Sequence, residues 1–348
     1  MTISVIYEDT IIDPLVTSVN WSGDITQAYR KLDIAIKNTI DGNSQALTVE
    51  LGKQLLLLSD NVEIFRGVIF SHSVNAGGSM QITAYDEAVY LTKSIDTRKF
   101  TNMKASAIVR ELCDDFGIDI GDITDTGYVI PKLVLRDMSL WDMITTALTE
   151  TRKQTGRRFW VQSANGLLNV IERGEKVVGF ILDDSTNILD ASYALSIEDM
   201  RNQIRVMGGD EEKKPIEFTV KDEAVIKKFG IMQHLERADS DLTRSQLEQL
   251  AKTLLEAKSV INDDANVTAL GDASVTSGVA VYVREALTNI VGAFYVVTDS
   301  HSWEGDTYKM TLGISGDEEL PQLQYEPPVV KAKSSDAYKF TGALAFLN

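Results

Sequence analysis

Three consecutive residues near the end of the chain carry the side chains of a serine-hydrolase triad: Asp299, Ser300 and His301. A working triad needs a histidine that holds the nucleophile on one ring nitrogen and the carboxylate on the other. The residues lie in a segment that predicts a β-strand, where alternate side chains point to opposite faces. Asp299 and His301 then share a face while Ser300 points away. The spacing therefore predicts a packing or hydrogen-bonding role for His301 rather than nucleophilic catalysis.

Other reactive groups occur without the partners that catalysis or metal binding requires. Carboxylate pairs such as Asp263-Asp264 are neighbours in polar segments, whereas a glycosidase needs two carboxylates across a cleft. Cys113 is the single cysteine, which excludes an internal disulfide and a thiolate zinc cluster. No Walker loop, HExxH or GxSxG motif is present. The sequence thus predicts no catalytic residue, no cofactor and no metal site.

The segment around His301 has a counterpart near the start of the chain. Residues 65–73 read FRGVIFSHS and residues 294–302 read FYVVTDSHS, which aligns Phe65 with Phe294 and His72 with His301. A short turn and an alternating strand follow each copy, and this pattern predicts a β-hairpin. The repeat therefore predicts two similar β-domains in one polypeptide, with matching roles for the two histidines.

Composition and charge narrow the class of protein. The chain has 348 residues with 44% hydrophobic residues, which predicts two or three domains with packed cores. A net charge of −17 argues against a nucleic-acid binding surface, because such a surface needs clustered lysine and arginine residues. No apolar run approaches the ~20 residues of a membrane span. The first residues lack the features of a signal peptide, so we expect folding in a cytoplasm.

The pattern along the chain divides it into segments and predicts an α+β fold that is mainly β. Closely spaced short strands predict a small barrel or sandwich at each end of the protein. Between them, a helical stripe before Gly117, a helix capped by Ser139 and a hairpin at Asn165-Gly166 predict a small α/β domain. A further amphipathic helix is expected at residues 242–257, capped by Ser240 or Asp241. The expected boundaries are 1–97 for the first β-domain, 98–176 for the α/β domain, 177–320 for the second β-domain with its helical insertion, and 321–348 for a C-terminal tail.

The C-terminal tail differs from the rest of the chain. Its prolines favour extended structure, and it is locally basic on an acidic protein. Disordered ends rarely carry several large apolar side chains close together. We therefore expect a partner-docking segment rather than a frayed end, with these apolar residues as its contacts: Tyr338, Phe340, Leu344, Phe346 and Leu347.

Apolar and glycine residues follow a distinctive spacing in residues 267–272, 278–283, 292–297, 301–303 and 308–312. With this spacing, residues 242–313 resemble phage tail hub proteins. The start of the chain, with Gly67-Val68, Tyr85-Asp86 and Leu91, is similar to the first domain of the same family. The family is the late-control protein D type of contractile-tail hub, in particular the hubs of defective Bacillus prophages and Gram-positive contractile bacteriocins. The likeness covers roughly residues 1–320 and leaves the tail unmatched.

The resemblance implies a structural role at the centre of a baseplate. In this family each subunit of a homotrimer contributes two tube-like β-barrels, so that three chains form a pseudo-hexameric ring. A hexameric tail tube stacks on one face and a trimeric central spike attaches to the other. Other baseplate proteins and the tape measure are further implied partners, and the implied location is a virion or tail-like particle assembled in the host cytoplasm.

Two other classes of function stay open at the level of sequence. A tail-associated enzyme that degrades the cell wall needs a lysozyme-like or papain-like segment, which the chain lacks. A host-glycan binding module needs a stacking platform, and the four tryptophans are too dispersed to form one. The structural hub is the preferred hypothesis.

Overall fold

The structure is a computed structural model. It describes residues 2–173, 177–208, 216–238, 243–316, 320 and 322–325. The five apolar residues predicted to dock a partner, from Tyr338 to Leu347, lie outside the described residues. Strands outnumber helices throughout, which agrees with the predicted α+β fold that is mainly β.

Seven strands near the start of the chain form what we call the N-terminal β unit. Their alternating apolar residues face one core, where Leu32, Ile34, Leu55 and Leu57 are fully buried. The hairpin predicted around Phe65 and His72 is formed by β6 and β7. The strands are β1 (Ile3–Tyr7), β2 (Thr10–Ile11), β3 (Val16–Asp24), β4 (Lys31–Lys37), β5 (Gln54–Ser59), β6 (Val62–Val74) and β7 (Ser79–Tyr85).

The α/β domain follows directly. Ser139 caps α3 by accepting a hydrogen bond from the backbone N–H of Asp142 at 3.0 Å, as predicted. Asn165 and Gly166 have φ of 54° and 73°, which suits the tight turn between β11 and β12. Leu91 of α1 packs in this core, so the core begins before residue 98. The elements are α1 (Val89–Lys93), β8 (Ile95–Lys104), α2 (Ala105–Asp115), β9 (Ile120–Ile123), β10 (Val129–Ser139), α3 (Leu140–Thr155), β11 (Phe159–Ala164) and β12 (Leu167–Glu172).

The remaining strands form the C-terminal β unit. Val267, Val281, Val283, Met310 and Leu312 fill its core. The second predicted hairpin, around Phe294 and His301, is formed by β20 and β21. The strands are β13 (Val177–Asp183), β14 (Ile188–Ser196), β18 (Asn262–Leu270), β19 (Ala280–Glu285), β20 (Ile290–Glu304) and β21 (Thr307–Ser315).

A small insertion separates β14 from β18. Its three-stranded sheet packs against α5, with Leu247 and Ala251 buried on Ile204 and Val206. Thr243 caps α5 through a capping box with Gln246, so the helix begins two residues later than predicted and uses a different cap. The elements are β15 (Gln203–Gly208), β16 (Ile216–Lys221), α4 (Glu223–Phe229), β17 (Gln233–Arg237) and α5 (Arg244–Lys258). None of the helices in the described part of the chain is long and apolar enough to cross a membrane.

The two β units have the same strand order. Along the sheet, the N-terminal unit runs β3-β4-β7-β6-β5-β1 and the C-terminal unit runs β14-β18-β21-β20-β19-β13. Register shifts fall in matching strands, namely β3 and β14, and β6 and β20. The units differ in one pairing, since β1 is antiparallel to β5 whereas β13 is parallel to β19. The shared order extends the resemblance between the two hairpins to six strands.

One ladder joins the two units. β3, at the edge of the N-terminal unit, pairs antiparallel with residues 298–304 of β20, while residues 290–295 of β20 pair with β19. The two units therefore form one continuous sheet of 13 strands. β20 is long enough to serve both partners, and it lies at the centre of the protein.

The chain beyond β21 returns to the α/β domain. Leu320 packs with Ile25 and Trp160, and the N–H of Leu323 donates to the Thr149 hydroxyl at 3.1 Å. The Tyr325 hydroxyl accepts a hydrogen bond from the N–H of Val134 at 3.0 Å. These contacts hold Leu320, Leu323 and Tyr325 against residues of the α/β domain.

Gly52 and Gly278 occupy matching places in the two units. The N–H of Gly52 donates to the Ile69 carbonyl at 2.9 Å, and that of Gly278 donates to the Val296 carbonyl at 2.8 Å. Both have positive φ, of 80° and 94°. A Cβ at Gly278 would lie 2.4 Å from the Trp160 ring, whereas a Cβ at Gly52 would meet nothing within 4 Å. Only Gly278 therefore lies where the α/β domain contacts the C-terminal unit.

We expect Gly278→Ala to lower the free energy of unfolding more than the matched variant Gly52→Ala. Both carry the cost of a positive φ, about 1 kcal/mol, and Gly278→Ala adds overpacking of about 1–3 kcal/mol. Urea unfolding followed by tryptophan fluorescence measures the difference. Equal losses in the two variants would show that Trp160 does not pack on Gly278.

Candidate functional site: the junction between the two β units

The residues of the predicted duplicated hairpin occupy different environments. Phe65 is buried in the core of the N-terminal unit, and Phe294 is half-buried against the core of the C-terminal unit. His301 is fully buried, whereas His72 is exposed. The matching roles expected for the two histidines are therefore not found.

The pairing registers explain the difference. The bulge in β6 lies between Ile69 and Ser71, and that in β20 lies between Val296 and Thr298. Aligning the bulges places His72 level with Asp299, two residues away from His301. The hairpin of β20 and β21 continues to a two-residue turn after Glu304, whereas that of β6 and β7 ends at Val74. Because the hairpin arms differ in length, identical residues of the two sequence copies occupy different positions relative to the bulge and the turn.

The C-terminal half of β20 and β3 bring buried groups together at what we call the junction. Its ladder pairs His301 with Trp21 and Asp299 with Gly23. Both His301 and Asp299 face the interior, as strand alternation predicts. Ser300 points the other way and donates to the Asn20 side chain at 3.1 Å. The three letters of the triad thus form no nucleophilic site.

Arg30 carries the charge that the junction buries. Its guanidinium forms a two-pronged ion pair with Asp299, with Nη1 to Oδ1 at 2.9 Å and Nη2 to Oδ2. The guanidinium also lies over the Trp21 ring at 3.9 Å from the centroid. Both charged side chains are almost fully buried. The pair therefore links the β3–β4 connection of one unit to the long strand of the other.

Asp299 stays ionised in this setting. Burial by itself raises the pKa of a carboxyl group, but the Arg30 charge and hydrogen bonds from His301 and Arg30 outweigh it and hold the pKa of Asp299 well below its usual range. The backbone N–H of Ser277 adds a further hydrogen bond at 2.6 Å. Removal of Arg30 would leave this carboxylate buried without a countercharge.

His301 is held by three neighbours. Its Nδ1 lies 2.8 Å from the Tyr308 hydroxyl, and its Nε2 lies 3.0 Å from the Val275 carbonyl and 3.3 Å from Asp299 Oδ2. The Tyr308 ring stacks on Trp303 with centroids 4.2 Å apart. Both ring nitrogens are thereby occupied by packing partners within the junction.

Asp86 ties the same arginine to the α/β domain. Its carboxylate accepts the backbone N–H of Arg30 at 2.8 Å and that of Ala88 at 3.0 Å, and it also bonds Ser163 of β11. Burial raises the pKa of Asp86 to about 7, although these hydrogen bonds and the Arg30 charge oppose the rise. Arg30 thus contacts both β units directly and is linked to the α/β domain through Asp86.

Sequence reasoning did not identify Arg30, and it did not predict the roles of Asp86 and Asp299 in the junction. Arg30 and Asp299 lie 269 positions apart, and neither belongs to a local motif. The one usable signal was Asp299, a charged residue in a largely apolar strand segment. A buried charge of this kind requires a partner of opposite charge. Within the described residues, no group of three or more histidine, cysteine, aspartate or glutamate side chains could hold a metal ion.

We expect Arg30→Met to destabilise the protein by about 3–5 kcal/mol, because it leaves Asp299 buried and unpaired. The double variant Arg30→Met/Asp299→Leu should recover much of this loss. Lys31→Met, next in the chain and paired with Asp33 in a half-exposed ion pair, is the control and should cost less than about 1 kcal/mol. Chemical denaturation of these variants, of the wild type and of the single variant Asp299→Leu gives the coupling energy between Arg30 and Asp299. Equal costs for the Arg30 and Lys31 substitutions would contradict the assignment.

The pKa of Asp86 predicts a fall in stability as the pH rises. The folded state binds the proton more tightly than the unfolded chain, whose aspartate pKa is about 4, so the free energy of unfolding drops between about pH 4 and 7. The slope is about 1.4 kcal/mol per pH unit. Asp86→Asn should remove this contribution. Unfolding of both proteins at several pH values measures it, and a difference that does not change with pH would refute it.

Comparison with known proteins places the chain in a family. The YQBQ-like family matches residues 19–315. Two relatives from Bacillus subtilis (strain 168) are the uncharacterized protein YqbQ and the phage-like element PBSX protein XkdQ. Each is 30% identical to this chain and aligns with 91% of it, and the alignments cover 97% and 98% of the relatives.

Solved structures share the fold. The 43 kDa tail protein of prophage MuSo2 from Shewanella oneidensis aligns over 90% of this chain and 97% of its own, with a TM-score of 0.66 and 13% identity. A component of the E. coli type VI secretion system, described as similar in structure to the T4 bacteriophage tail proteins gp27 and gp5, aligns over 94% and 80% with a TM-score of 0.54 and 10% identity. The resemblance to phage tail hub proteins is thereby confirmed in the fold, and the chain belongs to the YQBQ-like family.

Proposed function

We propose that this protein is the structural hub of a contractile-tail baseplate or of a related tail-like particle. Three copies form a ring of six similar β units, which connects a hexameric tail tube to a trimeric spike. In this proposal the two β units described above serve as the two tube-like barrels that the family resemblance implies. The proposed location is the baseplate of a virion or tail-like particle that is assembled in the host cytoplasm.

The observation that carries the proposal is the lateral pairing of β3 with β20. Two units of the same strand order are joined side by side within a single sheet. Three chains built this way contain six similar β units, which can match a sixfold partner. They contain three copies of every other part of the chain, which can match a threefold partner. The 30% identity to a protein of the phage-like element PBSX supports the same role.

The buried junction also supports a structural rather than an enzymatic role. Its charged groups are enclosed and paired with each other, and both nitrogens of His301 have partners. A wall-degrading enzyme would instead need an accessible nucleophile or a pair of carboxylates in a cleft. We therefore favour the hub over a tail-associated hydrolase.

The second alternative, a host-glycan binding module, receives little support from one open groove of the α/β domain. An open groove on the α/β domain runs between β9, β11 and β12 and contains no aromatic ring among its lining residues. Sugar binding commonly uses aromatic faces, and this groove has none to offer. The lining is polar and aliphatic: Asp122, Ile123, Thr124, Gln162, Ala164, Asn165, Leu167, Asn169 and Ile171.

We propose that the segment after residue 325 docks on another baseplate component. Leu323 and Tyr325, which precede this segment, form hydrogen bonds with Thr149 and Val134 of the α/β domain. The apolar residues from Tyr338 to Leu347 supply the contact surface in this proposal. Tube protein, spike, other baseplate proteins and tape measure are the proposed partners of the particle as a whole.

We expect the purified full-length protein to have three times the mass of one chain in native mass spectrometry. Electron microscopy down the axis should show six similar lobes arranged with threefold symmetry. Zymograms against cell walls and binding assays with wall polysaccharide serve as controls and should be blank. A monomer at all concentrations, or a clear zone in the zymogram, would contradict the hub.

A further inference from the structure

Two strand edges in this protein have no partner among the residues that the structure describes. β14 pairs with β18 on one side, and its other side is open. β6 pairs along its whole C-terminal half with β7, but β5 covers only residues 62–68 on the opposite side. Residues 71–74 of β6 and most of β14 are exposed. Open edges of this kind are ready templates for another strand.

These two edges are the counterparts of the two that meet at the junction. By strand order, β14 corresponds to β3 and β6 corresponds to β20. β3 and β14 share a bulge near their starts, after Val16 and after Ile188. β6 and β20 share the bulge that aligns His72 with Asp299. Each edge that is paired at the junction thus has an unpaired equivalent in the other β unit.

The burial of equivalent residues shows what the open edges lack. Trp21 and His301, which face each other across the junction, are 3% and 0% exposed. Their equivalents by register, Tyr193 and Val74, are 45% and 44% exposed. Tyr193 pairs with the buried Ala265, so its side chain points to the core face of the sheet. Val74 points to the same face, since it pairs with the buried Met80.

From this correspondence we infer that β14 of one copy pairs antiparallel with residues 71–74 of β6 in the next copy. The register follows that of β3 and β20, so Val74 lies opposite Tyr193 and His72 lies opposite Leu195. The inference rests on the proposed ring and specifies its contact between copies. Each chain gives one edge and receives one, which is a head-to-tail contact that closes on itself.

The seam between copies differs from the junction in its chemistry. His72 stands where Asp299 stands at the junction, and the connection that holds Arg30 is replaced by the insertion between β14 and β18. The seam therefore has backbone hydrogen bonds and the apolar contacts of Tyr193, Leu195 and Val74, without a buried ion pair. Such a contact can form after each chain has folded alone.

Paired cysteines test the register directly. The variant Val74→Cys/Tyr193→Cys places two thiols opposite each other in the inferred pairing, while Val74→Cys/Ala194→Cys shifts one of them to the other face. Six strands separate β6 from β14 within one chain, so a disulfide must join two copies. Cys113 is fully buried, and burial raises the pKa of its thiol to about 11, so it does not compete.

Mild oxidation of the first variant is expected to convert most chains into cross-linked dimers and trimers on a non-reducing gel, and the shifted variant should stay uncross-linked. A protein with trimeric native mass but no cross-link, or with equal cross-linking in both variants, would overturn the strand pairing and leave the hub proposal standing. A protein that is monomeric and uncross-linked would overturn both.

A charge on the open edge gives a second readout that does not depend on oxidation. Leu195→Lys places an ammonium group in the inferred seam and should convert the trimer to monomers. Its thermal stability as a monomer should be unchanged, because Leu195 is 62% exposed. Leu287→Lys, in the exposed turn between β19 and β20, is the matched control and should remain trimeric. A trimeric Leu195→Lys protein would count against the seam.

Discussion

The burial of the Arg30 guanidinium against Asp299 is the constraint around which this fold is arranged. Neither charge could enter the interior alone, because desolvation would cost several kcal/mol without a partner. The two residues come from opposite ends of the chain, so their meeting requires both β units to be folded and aligned. The same arginine binds Asp86 through its backbone, which brings the α/β domain to the same point. One residue therefore fixes the relative position of three parts.

Local features of the fold were predictable from sequence, because their causes lie within a few residues. The cap at Ser139, the turn at Asn165-Gly166 and the two hairpins depend on neighbouring groups, and the structure contains all of them. The register of the repeat was not predictable, since it depends on the lengths of hairpin arms and on bulges. Letters that match, such as the two histidines, can occupy different levels of equivalent strands.

The junction was beyond sequence reasoning for a different reason. Its partners are brought together by the strand order of a 13-stranded sheet, and no periodicity within β3 or β20 specifies which edges will meet. The sequence indicated that Asp299 and His301 share one face of a strand, and the structure shows that this face lies in the junction. The junction also shows that a buried ion pair can join two parts of a fold. A shifted pKa of a buried carboxyl group is therefore weak evidence of catalysis, because structural ion pairs shift pKa values too.

The position of the insertion has a consequence for the shape of a particle. In the N-terminal unit, a short connection of residues 25–30 links the first pair of adjacent strands, and in the C-terminal unit the whole insertion occupies that place. In a closed ring of three chains, plain and decorated loops would alternate around the rim. The six β units of the ring would then have near-sixfold symmetry, while the insertions between β14 and β18 would repeat only every 120°. A duplicated β unit with an insertion in one of its two copies is thus a way to pass from sixfold to threefold symmetry while the wall of the tube stays the same.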